Sequence, residues 1–223
     1  MLAQLLALLA PPGCLACRAA LAGAGERLCA ECTRALPWLR RGCPRCALPS
    51  HRGRPCPAGQ AAFPRAWAPV AYEGVARQLV AALKFHAALP AADVMAAHMA
   101  ANLPASLRDP AAVLVPVPGL PARRRARGFD PARVLTVALA RRTERPLTDC
   151  LRRTGPVRRQ VGAGRSARRA PGRIDVRVRG SPPPLALLVD DVHTTGATLD
   201  ACARALVAGG TTVLAAVSYA RTL

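Results

Sequence analysis

The sequence predicts an α/β protein: a mostly parallel sheet flanked by helices, preceded by a small cysteine-rich domain. Three observations predict it. Seven of the nine cysteines fall within the first 56 residues, mostly as C-x-x-C pairs. Beyond them, short continuous apolar runs such as Ala112–Val117 (AVLVPV) and Leu185–Val189 (LALLV) read as strands buried on both faces. Segments of helical period alternate with those runs, and that alternation implies parallel pairing, because a crossover helix must return the chain to the same edge.

Composition limits the options. At 223 residues and 23.3 kDa, with 52% apolar residues, the chain can fill the core of one domain with a small appendage. That excludes a disordered chain. Only seven residues are aromatic, so Ala, Leu and Val must do most of the packing. No run of about 18 uncharged apolar residues occurs, so no spanning helix is expected. Thirty-two basic residues against 12 acidic ones give a net charge of +20, and Lys84 is the sole lysine among the arginines. Such a surface attracts phosphates, whether on nucleotides or on nucleic acid.

The first ten residues, MLAQLLALLA, resemble a short signal core but have no basic residue before the apolar run. In Pro11-Pro12-Gly13-Cys14 the two prolines spoil the small-residue box that a lipoprotein cleavage site wants before its cysteine. We read Leu2 to Leu9 as an amphipathic helix packing on the body of the protein, and the chain as cytoplasmic.

Residues 1–60 read as that helix plus a zinc ribbon, and residues 61–223 as the second domain. Cys14-x-x-Cys17 and Cys29-x-x-Cys32 are separated by eleven residues. Each pair aims two thiolates from one short turn, and two such turns complete a tetrahedron around Zn²⁺. Four thiolates close the site to water, so the zinc is structural and holds together a segment too small to fold alone. Cys43, Cys46 and Cys56 offer three ligands of a second site without an evident fourth, since Gly59 stands where another C-x-x-C would close. His51 could complete a Cys3His set, but a solvated loop histidine is the expectation. Cys150 and Cys202 read as buried thiols.

The elements of the second domain follow in order. Ala66–Tyr72 (AWAPVAY) reads as a strand. Val75–Phe85 reads as a helix with Val75, Leu79 and Leu83 on one face, and Asp93–Leu103 as another. Ala112–Val117 is a strand. Asp130-Pro131 opens a helix as cap and first-turn residue, with Val134, Leu135, Ala138 and Leu139 on its buried face. Residues 151–184, rich in Arg, Gly, Pro and Ser, read as a mobile flap. Leu185–Val189 is a strand, Thr198–Ala208 a helix ended by Gly209-Gly210, and Thr211–Tyr219 the last strand.

The chemistry concentrates after Val189. Two carboxylates, Asp190 and Asp191, precede a loop of Thr194, Thr195, Gly196, Ala197 and Thr198 that opens a helix. Free backbone N–H groups at such a start favour an anion, the hydroxyls add donors, and Gly196 lets the backbone close around a phosphate. The two acids suit sugar hydroxyls or a hard cation. Phosphate on one side and a diol on the other describe a ribose 5-phosphate. The loop lacks the GxxxxGK[ST] pattern of an ATPase P-loop, and Gly162-Ala-Gly164-Arg-Ser-Ala167 follows no strand, so it is not a dinucleotide site.

VDDVHTTGAT resembles the phosphoribosyl pyrophosphate (PRPP) motif of type I phosphoribosyltransferases. The whole chain resembles the ComF family, competence-type phosphoribosyltransferase homologues with an amino-terminal zinc ribbon. The likeness lies in the C-x-x-C pairs, Leu83-Lys84-Phe85, Val115-Pro-Val-Pro118, Arg127-Gly-Phe-Asp130, and Gln160 with Arg165 and Arg168. It implies that Asp190 and Asp191 hold the ribose hydroxyls and that Thr194 to Thr198 hold the 5-phosphate. It implies too that the turn carrying Val115, Pro116, Val117 and Pro118 receives the pyrophosphate with Mg²⁺. Arg123, Arg124, Arg125 and Arg127 follow that turn, either as a solvated basic loop or as charges over the leaving group. Asp130-Pro131 stands where the family often has Asn-Gln. Two further classes are consistent with the resemblance. One is a PRPP-sensing regulator. The other is a single-stranded DNA-binding competence protein with a helicase partner, whose grip on DNA would fall steeply with salt.

Overall fold

The computed structural model describes residues 13–23, 25–40, 42–153 and 174–223. The expected helix over Leu2–Leu9 and most of the arginine-rich flap, including Gln160, Arg165 and Arg168, lie outside the described residues.

The N-terminal ribbon contains one short helix, α1 (Ala30–Arg34), which begins at the second C-x-x-C pair. After the ribbon come β1 (Ala66–Trp67) and β2 (Val70–Ala71). They replace the single strand expected over Ala66–Tyr72, because Ala68 and Pro69 between them make no ladder pairing. Then follow α2 (Gly74–His86), α3 (Pro90–Asn102), β3 (Val113–Pro116), α4 (Pro121–Arg127) and α5 (Pro131–Thr143). The chain finishes with β4 (Leu151–Arg153), β5 (Val176–Val178), β6 (Leu185–His193), α6 (Ala197–Ala208) and β7 (Thr212–Arg221).

The main sheet is parallel throughout, in the order β1-β7-β6-β3, with β2 also on the outer edge of β7. Successive residues of a strand point to opposite faces, so the apolar runs feed two cores. Leu187 and Val189 join Leu114, Val217 and Tyr219 in the layer that α2, α3 and α5 cover. Ala186 and Leu188 join Val115 and Ala216 in the layer that α6 covers. The ribbon contributes to both: Cys14 and Cys32 pack in the first layer, Cys46 and Phe63 in the second. The fold is thus a zinc ribbon followed by a helix-flanked, mostly parallel sheet.

Two further elements differ from expectation. The segment after β3 is a helix, α4, with Pro121 in its first turn and Gly128 in the left-handed conformation at its end. It buries no residue, so it offered no apolar period to read. β6 runs four residues past Val189, because Asp190, Val192 and His193 keep pairing with Ser218, Ala220 and Arg221 of β7. The two ends of the arginine-rich insert form a ribbon, with β4 and β5 antiparallel. Cys150 and Cys202 are buried, as expected. Among the described residues no helix is long and apolar enough to cross a membrane.

Candidate functional site

The cysteines form two four-ligand clusters, Cys14-Cys17-Cys29-Cys32 and Cys43-Cys46-His51-Cys56, each with all its ligand atoms within 4.8 Å of one another. The Sγ atoms of Cys17 and Cys29 are 3.7 Å apart, and those of Cys43 and Cys56 are 3.8 Å apart. Tetrahedral Zn–S bonds of about 2.3 Å put sulfurs roughly 3.8 Å apart, so both clusters fit zinc. Backbone N–H groups of Cys29 and Cys32 point at Cys14 Sγ and Cys29 Sγ, both at 3.4 Å. Burial pushes the Cys14 thiol up, but surrounding N–H groups outweigh it and bring it down to about 6, which favours the thiolate ligand. His51 is corrected from solvated to ligand: its Nε2 lies 3.1 Å from Cys46 Sγ and supplies the missing fourth donor.

The second site forms where β3 and β6 end. They are parallel neighbours with Pro116 opposite Val189, so the turn after β3 lies beside Asp190 and Asp191. A cleft of about 130 Å³ opens there, lined by Val117, Pro118 and Gly119, by Asp130, Asp190 and Asp191, and by Thr198. Three arginines of α4, Arg123, Arg124 and Arg127, line its other side with Lys84 and Arg153. Arg125 faces a neighbouring groove that it shares with Arg133 and Arg152. Val115 is buried in the sheet and Pro116 borders that same groove, so neither lines the cleft.

Asp130 holds the turn. It stands at the N-cap of α5, as expected, with the Ala132 N–H of the first turn near its carboxylate but no well-formed cap bond. Its Oδ2 accepts the N–H of Gly119 at 2.8 Å. A Cβ on Gly119 would lie 3.1 Å from that oxygen, so any larger residue would make the carboxylate shift by a few tenths of an ångström. Burial raises the Asp130 carboxyl above its ordinary range, and the Gly119 N–H opposes the rise.

The paired acids sit within the last stretch of β6 pairing, Asp191 two residues before the strand ends at His193, rather than in the loop. Adjacent on a strand, they face opposite ways, and Asp191 faces the layer of α2. There Lys84 Nζ lies 2.6 Å from Asp191 Oδ1. Asp190 Oδ1 accepts the N–H of Asp191 at 2.8 Å. Burial, followed by the charge of Asp191, pushes the Asp190 carboxyl up to about 8. Lys84 opposes that rise.

The loop beyond them is Thr194 to Gly196. Gly196 has φ +80, and a Cβ there would stand 2.8 Å from His193 Nε2. It is the N-cap of α6 and has no side chain to cap it; Thr195 Oγ1 accepts the N–H of Ala197 at 3.4 Å, and the positive end of the helix faces the loop, a setting that favours an anion. Thr194, Thr195 and Ala197 are exposed, while Thr198 turns into the cleft. His193 is buried beneath the loop, and burial, reinforced by Arg221, pushes its pKa down to about 4, so the ring is neutral at pH 7.

Sequence reasoning passed over two residues. Lys84 had two signals, its being the sole lysine and its place in Leu83-Lys84-Phe85, and neither gave it a role. Arg221 had none: it follows the last apolar run and looks like one more surface arginine, yet it is buried under the loop. Its guanidinium bonds to carbonyl oxygens of His193, Thr194 and Cys46.

A family model described as a double zinc ribbon domain matches residues 5–60. It agrees with the two clusters that the geometry brings together. No curated protein matches the chain.

Proposed function

We propose that the chain binds PRPP with Mg²⁺ and transfers or recognises its 5-phosphoribosyl group, as its resemblance to the ComF family implies. One observation carries this reading. A single cleft gathers a carboxylate pair and a row of arginines and reaches the start of α6 at Thr198, the three partners that a diol, a pyrophosphate and a phosphate ester require. The zinc ribbon and parallel α/β sheet are consistent with a phosphoribosyltransferase-like architecture.

In this reading Asp190 and Asp191 accept hydrogen bonds from the 2- and 3-hydroxyls. Lys84 holds the Asp191 carboxylate in place. The 5-phosphate takes the free N–H groups and hydroxyls of Thr194 to Thr198. The pyrophosphate lies along Val117 to Gly119 under Arg123, Arg124 and Arg127. During transfer the bond from ribose C1 to the pyrophosphate oxygen breaks, its electron pair leaves with pyrophosphate, and an acceptor bonds to C1. The three arginines meet negative charge as it grows on the leaving group. Mg²⁺ fits the hard oxygen donors Asp130, Asp190 and Asp191, and when bound it neutralises part of the pyrophosphate charge. The ComF resemblance sets this activity in DNA uptake.

Titration calorimetry of the zinc-loaded chain with PRPP and Mg²⁺ tests the binding. Release of pyrophosphate with purine, pyrimidine or amine acceptors tests the transfer. The Asp190→Asn, Asp191→Asn double variant is the control for both. Heat in the wild type and none in the variant supports the reading. Absence of heat at millimolar PRPP rejects it. Binding without pyrophosphate release would favour a sensor. A second reading rests on the net charge of +20 and its arginines. Single-strand DNA binding that survives the double variant and weakens steeply with salt would favour it, beside a helicase partner.

A further inference from the structure

The phosphate loop is tied to the second metal cluster. Arg221 ends β7 and is 4% exposed. Its Nε donates to the carbonyl of Cys46 at 2.8 Å. Its Nη1 lies 2.8 Å from the carbonyl of His193 and also reaches the carbonyls of Thr194 and Thr222. Cys46 is a ligand of the second cluster, and Thr194 opens the loop. One guanidinium therefore spans the two.

Three contacts repeat the link. The ring of Phe63 meets that of His193 edge-on, with centroids 6.3 Å apart. Asp200, in the first turn of α6, accepts the N–H of Ala62 at 2.7 Å. Arg204 Nη2 donates to the carbonyl of Gln60 at 2.9 Å. Residues 60 to 63 follow directly on the second cluster, so the loop and the start of α6 rest on its frame. The first cluster stands apart from this arrangement, because Cys14 and Cys32 pack in the opposite layer with α2 and α3.

The electrostatics agree. Among the described residues Arg221 forms no ion pair with a carboxylate. A buried cation needs a counter-charge. Three thiolates and one neutral imidazole around Zn²⁺ carry a net single negative charge, placed beside Cys46. Arg221 gains that counter-charge from the cluster while turning its donors toward the loop carbonyls.

We propose that metal in the Cys43-Cys46-His51-Cys56 cluster sets the conformation of residues 193–198, with Arg221 as the positioning residue that transmits it. Metal binding at that cluster and anion binding at the loop are then coupled, and the coupling is reciprocal. The ligand's identity rests on the function proposed above; the mechanical link does not.

Hydrogen exchange of the full, zinc-loaded chain separates the two. The reporting segment is 190–202, and α3 is the internal reference. Three variants are compared: Cys43→Ser with Cys56→Ser, Cys17→Ser with Cys29→Ser, and Arg221→Lys, which keeps both clusters and the charge but loses the fork. Expected are at least tenfold faster exchange in 190–202 for the second-cluster variant and for Arg221→Lys, with α3 at its wild-type rate. The first-cluster variant leaves 190–202 at the wild-type rate. PRPP affinity, measured in parallel, falls tenfold or more where exchange rises. Wild-type exchange in 190–202 with the second cluster emptied overturns the proposal, as does equal acceleration from the first cluster. If exchange responds as expected but the wild type binds no PRPP, the link stands and the ligand assignment falls.

Discussion

Lys84 Nζ and Asp191 Oδ1 lie 2.6 Å apart, joining the last turn of α2 to the end of β6 across 107 residues of sequence. The pair is mostly buried, with side-chain exposures of 22% and 9%. It stands where two carboxylates would otherwise repel each other, so the lysine makes the acidic pair tolerable. Lys84→Met removes the cation and keeps the length. An exposed pair would contribute little, but breaking this one leaves a charge in a partly buried site, at a cost of about 2 kcal/mol. Thermal unfolding should report that loss, and PRPP affinity should fall about tenfold or more in calorimetry. Lys84→Arg should recover most of the stability.

Asp190 gives the site a pH dependence whose sign follows from its raised carboxyl, at about 8. In the folded chain it holds its proton to a higher pH than in the unfolded chain. Between about pH 4 and pH 8 the unfolded state therefore binds fewer protons, and this group's contribution to stability declines as pH rises through that window. Ligand binding runs the other way, since a diol or a hard cation favours the carboxylate. At pH 7 PRPP with Mg²⁺ should release up to one proton, and affinity should climb toward pH 8 and level off above it. Calorimetry in two buffers of different ionisation enthalpy measures the proton. Asp190→Asn should abolish its release.

How much of this could be read beforehand depended on how local each cause was. The apolar runs at β3, β6 and β7 were legible because a strand buried on both faces needs no partner to declare itself. The C-x-x-C pairs were legible because one turn fixes two ligands. His51 was not, since its ring becomes a ligand only once the loop between Cys46 and Cys56 has folded. The end of β6 was misread because Asp190 and Asp191 look like loop residues, and only pairing with Ser218 to Arg221 of β7 keeps them extended. Helix α4 was invisible to periodicity because all its side chains face solvent or the cleft edge, although Pro121 and Gly128 marked its limits. Lys84 and Arg221 act over long range, and no spacing rule reaches them.

Gly196 separates backbone strain from steric conflict. It has φ +80, and an added Cβ would stand 2.8 Å from the buried ring of His193. Gly210 has φ +88 with nothing within 4 Å. Gly210→Ala should therefore cost only the left-handed conformation, about 1 kcal/mol. Gly196→Ala should cost more, about 2–3 kcal/mol, because the ring has no free space to yield. It should also weaken PRPP binding at least tenfold, which Gly210→Ala should not. Adding His193→Ala to Gly196→Ala should relieve the clash and leave the strain. Denaturant unfolding of the four proteins measures each difference.

Asp130 tests whether the turn after β3 needs a charge or only an acceptor. Its Oδ2 accepts the Gly119 N–H at 2.8 Å, while burial raises its carboxyl. An amide oxygen can accept the same bond without the cost of burying a charge. Asp130→Asn should thus fold at least as stably as the wild type near pH 7, because burial penalises the charged form of the carboxyl. Asp130→Ala leaves the Gly119 N–H without its acceptor and should lose about 1–2 kcal/mol. The two variants divide on ligand binding as well. If Asp130 serves only to hold the turn, Asn should keep PRPP affinity within about threefold at any Mg²⁺ concentration. If it also supplies oxygen to the cation, the loss for Asn should appear at low Mg²⁺ and shrink as Mg²⁺ is raised. Affinity measured across a magnesium titration distinguishes them, because a merely structural role leaves the magnesium dependence unmoved.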